Sequence, residues 1–63
     1  NLNEAEKAFE KALEINPLYD TAIYNMAIVE MKKNELDKVE QRMIMLEKLN
    51  SPYAAQLKSF FEP

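Results

Sequence analysis

The sequence contains no cysteine, no histidine and no glycine among its 63 residues. Without cysteine or histidine it has neither disulfides nor the usual ligands of a zinc site. It also lacks the cysteine nucleophiles and imidazole bases of the common nucleophilic mechanisms. The absence of glycine excludes Gly-rich phosphate loops and dinucleotide-binding fingerprints. We therefore expect no catalytic residues, no metal site and no cofactor.

Basic side chains are few as well: 8 Lys and Arg stand against 11 Asp and Glu, a formal net charge of −3. This balance argues against nucleic acid and anionic membranes as partners. No apolar run approaches the roughly 20 residues of a membrane span and no signal peptide is recognisable, so the cytoplasm is the expected compartment. A chain of 63 residues buries only about 60% of its unfolded surface. We expect one small domain that depends on a partner or a longer parent chain for stability.

Apolar residues recur at helical spacing along the whole chain, and no segment has the alternation of a strand. The first stripe, for example, runs through Leu2, Ala5, Phe9 and Leu13, with charged residues around the rest of the helix. The pattern predicts an all-α fold with four helices, at about 3–15, 20–33, 36–49 and 52–61.

Polar residues and prolines mark the expected helix ends. Asn3 and Asp20 are the predicted N-caps of the first two helices, and Ser51 with Pro52 opens the fourth. Pro17 should end the first helix, because the residue before a proline is pushed out of the α region. In a chain without glycine, Asn34 is the best residue for the left-handed position after the second helix.

The two halves of the sequence repeat each other at an interval of 34 residues. Apolar character and turn positions are kept under this shift, which is the period of a helix–turn–helix solenoid. The shift pairs Leu2 with Leu36, Ala5 with Val39, Phe9 with Met43, Ala12 with Leu46, Ile15 with Leu49, Asn16 with Asn50, Tyr19 with Tyr53, Ile23 with Leu57, and Met26 with Phe60.

The spacing of Ala5, Phe9, Ala12 and Pro17 resembles the second half of the motif of the tetratricopeptide repeat family. Later segments match more loosely: Glu30 stands where the family has an aromatic residue. The resemblance implies an antiparallel helical array over residues 1–63, the C-terminal end of a longer one. Residues 1–17 would be the second helix of a truncated repeat, 18–51 one full repeat, and 52–63 a C-terminal capping helix.

The second helix carries a second apolar stripe, formed by Tyr24, Ile28 and Met31, where a surface helix needs only one. In the family that stripe faces a concave groove that holds peptides of partner proteins, so we expect Tyr24 to be largely exposed as an aromatic anchor. The resemblance implies a protein-interaction scaffold with a protein or peptide partner. The implied partner-binding residues are Thr21, Tyr24, Asn25, Ile28, Met31, Lys32 and Lys58.

Two other interpretations of the stripe remain open at this stage. It can be buried by neighbouring helices, or it can be a self-association face that makes the chain a homo-oligomer.

The carboxylates of Glu6, Glu10 and Glu14 share one side of the first helix, yet without facing histidines we interpret them as a solvated charged surface. Phe9 is expected to anchor the first helix on the second.

Overall fold

The computed structural model describes residues 1–61, and this part of the chain is helical without a strand. Its helices are α1 (Leu2–Ile15), α2 (Asp20–Lys32), α3 (Leu36–Lys48) and α4 (Tyr53–Lys58). The first three agree with the expected bounds to within a residue. α4 is shorter than expected and continues as a turn through Phe61, while the last two residues of the expected capping helix lie outside the described residues.

The turns after α2 and α3 have the same backbone geometry, with asparagine in the left-handed region in each. Asn34 has φ 61° and Asn50 has φ 55°. The N–H of Asn34 donates to the carbonyl of Met31 at 3.0 Å, and the next N–H, that of Glu35, reaches back to Glu30 at 2.8 Å. This pair of bonds satisfies carbonyls left unpaired at the helix end. The predicted role of Asn34 is confirmed.

The predicted N-caps of α1 and α2 are wrong. Asn1 caps α1 instead of Asn3: its Oδ1 accepts from the backbone N–H groups of Asn3 at 2.9 Å and Glu4 at 3.4 Å. Asp20 is the first residue of α2 and not its cap. Its carboxylate accepts instead from the hydroxyl of Ser51 at 2.8 Å, which ties the start of α2 to the start of α4.

The predicted end of α1 before Pro17 is confirmed, whereas the predicted start of α4 is not: Pro52, and not Ser51, is its N-cap, and the helix begins at Tyr53. α1 ends before Pro17, and Asn16 takes an extended backbone with φ −138°. The Oγ of Ser51 accepts a hydrogen bond from the backbone N–H of Tyr53 at 3.2 Å, which satisfies a backbone donor at the start of α4.

The core lies around α2, which packs against α1, α3 and α4, while α3 also packs against α4. α1 contributes no fully buried residue, and Phe9, the expected anchor of α1 on α2, is half-buried. The main apolar cluster is completely buried and draws on α2, α3 and α4, through Ile23, Ala27, Val39, Leu46 and Leu57.

Candidate functional site

The candidate partner-binding surface, called here the α2 face, is formed by the implied residues of α2. Tyr24, Ile28 and Met31 are half-buried and pack against the core cluster. Thr21 and Asn25 are half-buried too, whereas Lys32 is exposed. The α2 face therefore combines a partly accessible apolar stripe with polar residues at its sides, listed in full as Thr21, Tyr24, Asn25, Ile28, Met31 and Lys32.

Tyr24 is less exposed than the sequence suggested, because Tyr53 at the start of α4 covers part of it. The two rings stack with their centroids 4.7 Å apart and their planes at 18°. Such a stack stabilises by about 0.5–1.5 kcal/mol beyond the area that it buries. Tyr24 thus holds α4 on α2 and still contributes part of its ring to the α2 face.

Lys58, the implied site residue on α4, lies apart from this stripe. It is exposed and lines an open depression between the end of α3 and α4, together with Glu47 and Ala55. No residue of the α2 face lines that depression. The structure therefore groups six of the seven implied residues on one helix and places Lys58 at the surface of another.

The sequence analysis missed a buried ion pair between α2 and α3. Glu30 is only 2% exposed, and Arg42 binds both of its carboxylate oxygens: Nε donates at 3.2 Å and Nη2 at 3.0 Å. Such two-point pairing requires the planar guanidinium group. A signal was present in the sequence, because Arg42 is the only arginine and Glu30 stands where the family has an aromatic residue.

The other ion pairs lie at the surface. Lys33 Nζ is 3.2 Å from a carboxylate oxygen of Glu6 and joins α1 to the end of α2. Lys38 Nζ is 3.1 Å from Glu35, and the hydrogen bond to that carboxylate, with its charge, raises the pKa of Lys38 above its ordinary value. These charges are engaged in structural pairs, and the described residues contain no cluster of acidic side chains suited to a metal ion.

Large apolar side chains outside the α2 face are also exposed. Ile15 and Leu18, near the turn after α1, are 78% and 66% exposed. Phe60 and Phe61, after α4, are 56% and 46% exposed. None of these was singled out from the sequence as a site, although Ile15, Leu18 and Phe60 are the most exposed large apolar side chains of the described residues.

Nowhere in residues 1–61 is there a helix with the length and apolar character needed to cross a membrane.

Comparison with known proteins gives a family and no individual relative. Neither the curated proteins nor the solved structures contain a match to this chain. The family model described as tetratricopeptide repeat matches residues 1–59, nearly the whole sequence. The four helices described above agree with a helical repeat of this family. The chain belongs to the tetratricopeptide repeat family.

Proposed function

We propose that the chain is a protein-interaction module that binds a peptide segment of a partner protein on the α2 face. Family membership supports protein partners in general. The observation that carries the specific proposal is the stripe of Tyr24, Ile28 and Met31. These side chains keep part of their surface in solvent although α2 packs against three other helices.

The α2 face is suited to binding because its side chains are already ordered. Tyr24 is fixed by its stack on Tyr53, and Ile28 and Met31 pack against the core from one side. A partner that covers their remaining surface gains apolar burial without the entropy cost of ordering loose side chains. Methionine adapts its shape to the surface that it meets. Lys32 at the edge favours a partner with an acidic group beside its apolar residues.

In this proposal the module works by shape and apolar contact, without catalysis and without a cofactor. The net charge of −3 favours a protein partner over nucleic acid or an anionic membrane.

The test uses peptides selected from a random display library against the 63-residue chain, followed by NMR titration of the labelled protein. We expect the largest shift changes at Tyr24, Ile28 and Met31. Replacing Ile28 by Ser should weaken binding about tenfold, while Ile44→Ser, at an exposed apolar position on α3, should leave the affinity unchanged. Selected peptides whose shift changes map to α1 or α3 would refute the α2 face as the site.

A further inference from the structure

Tyr24 and Tyr53 form the only stacked pair of aromatic rings among the described residues. Tyr24 lies on α2, and Tyr53 is the first residue of α4, far from it in the sequence. The ring centroids are 4.7 Å apart and the ring planes meet at 18°. Both side chains are half-buried. The fold therefore holds two phenols in contact and leaves part of each open to water.

The composition of the chain directs one-electron oxidation to its tyrosines. The sequence has no cysteine and no tryptophan, the two residue types that compete most strongly with tyrosine for oxidants of this kind. Its 4 methionines react with peroxides by taking up an oxygen atom, which gives the sulfoxide and no radical. Of the 3 tyrosines, Tyr24 and Tyr53 are the two whose rings are stacked.

We propose that Tyr24 and Tyr53 are a site of oxidative cross-linking, at which a one-electron oxidant such as the oxidised haem of a peroxidase joins them as dityrosine. The oxidant takes one electron from each phenol, and each phenolic proton passes to water. The two phenoxyl radicals then pair their unpaired electrons in a C–C bond between carbons ortho to the oxygens. Each of these carbons loses its proton, and each oxygen is protonated again.

The balance of this step is the loss of two hydrogen atoms from the chain. The two electrons reduce two equivalents of the one-electron oxidant. In a peroxidase, one molecule of hydrogen peroxide supplies both equivalents and is itself reduced to two molecules of water.

The cross-link requires only a small rearrangement of the stack. The two rings must slide and tilt until an ortho carbon of each comes into contact. Tyr24 is held on α2, which packs against three helices, whereas Tyr53 belongs to a helix of only 6 residues that can adjust more easily. Groups held in contact also react at an effective concentration that separate molecules in solution do not reach.

The new bond would join α2 covalently to α4. A cross-link between residues that are distant in sequence restricts the unfolded chain and so stabilises the folded one. It would also prevent α4 from leaving the core. The cross-linked chain should therefore melt at a higher temperature than the unmodified chain. This inference does not rest on peptide binding to the α2 face.

The first experiment treats the dilute protein with light, a ruthenium tris-bipyridyl complex and persulfate, a one-electron oxidant that acts in urea as well as in buffer. We expect a monomeric product that has lost two hydrogen atoms by mass spectrometry and shows dityrosine fluorescence. Its yield should fall at least tenfold in urea that unfolds the chain, because the rings are then no longer held in contact. Equal yields from folded and unfolded protein, or products that are mainly intermolecular dimers, would overturn the proposal.

Phenylalanine substitutions identify the reacting rings, because they keep an aromatic ring and remove the phenol. Tyr24→Phe and Tyr53→Phe should each lose the intramolecular product. Tyr19→Phe is the matched control, since Tyr19 is 46% exposed at the turn after α1 and its loss should leave the yield unchanged. Circular dichroism verifies that each variant is folded. Cross-linking that persists in Tyr24→Phe, or that disappears in Tyr19→Phe, contradicts the assignment to Tyr24 and Tyr53.

Thermal melts of the purified cross-linked chain test the effect on α4. Its melting temperature should exceed that of the control by at least about 5 °C. The control is oxidised Tyr24→Phe, which carries the same methionine oxidation without the cross-link. A melting temperature at or below that of the control would show that the bond does not hold α4 in its native position.

Discussion

Among the ion pairs of the described residues, that of Glu30 and Arg42 has the most buried carboxylate. A buried carboxylate is costly to remove from water, and its partner offsets that cost only while both members are present. Glu30 is buried, whereas the side chain of Arg42 retains 26% exposure. The pair joins the middle of α2 to α3, so it constrains how these helices face each other.

Replacing Arg42 by Met should destabilise the fold by about 3 kcal/mol, because Glu30 is left buried without its partner. The double change Glu30→Leu with Arg42→Met should recover most of that loss. Urea unfolding followed by circular dichroism measures both. Lys38→Met, which removes an exposed pair with Glu35, is the control and should change the free energy of unfolding by less than about 1 kcal/mol. Equal effects of Arg42→Met and Lys38→Met would show that burial of the pair is unimportant.

Tyr24 has a structural contribution that the sequence did not reveal. Tyr24→Ala should lower the free energy of unfolding by about 2 kcal/mol, since the ring is half-buried and stacked. Tyr24→Phe should stay near wild type because it keeps the stack. A double-mutant cycle with Tyr53→Ala should give a coupling of about 0.5–1.5 kcal/mol. A coupling near zero would mean that the two rings do not support each other in solution.

At the scale of the helices, the sequence predicted all four helices and the lengths of α1 to α3, because helical spacing and prolines act locally. It failed to identify the N-caps of α1 and α2, where more than one role or position is open to a polar side chain. Asn1 and Asn3 both precede a glutamate by three residues, so the capping pattern does not distinguish them. Asp20 serves a contact with Ser51 that is distant in sequence, and no local pattern announces it.

The turn between α2 and α3 gives a direct test of the backbone argument. Asn34 has positive φ, a conformation that costs most side chains about 1–2 kcal/mol and asparagine less. Asn34→Ala should therefore lower the free energy of unfolding by about 1 kcal/mol, and Asn34→Gly should leave it unchanged or raise it slightly. Thermal melts of the two variants decide this. If alanine is tolerated as well as glycine, the left-handed geometry of this turn is not important for stability.

For the whole molecule, the sequence did not reveal how deeply the α2 face is buried. The stripe of Tyr24, Ile28 and Met31 follows from helical spacing alone. How much of it stays accessible depends on where α4 lies, and that position is set by the stack on Tyr53 and by the burial of Leu57. Contacts of this kind join residues that no single-helix pattern connects. The buried pair of Glu30 and Arg42 escaped prediction for the same reason.

The fully buried Leu57 makes α4 part of the common core, since it shares one cluster with residues of α2 and α3. Leu57→Ala should therefore cost about 3 kcal/mol and lower the stability of the whole domain in one cooperative transition. The alternative is that α4 detaches alone, which would remove only its 6 helical residues and leave α1 to α3 folded. Amide hydrogen exchange separates the two: cooperative loss accelerates exchange at Ile23 and Val39 as much as at Leu57. Protection that persists at Ile23 and Val39 while α4 exchanges rapidly would show that α4 is an independent unit, and that the surface of Tyr24 is uncovered whenever it leaves.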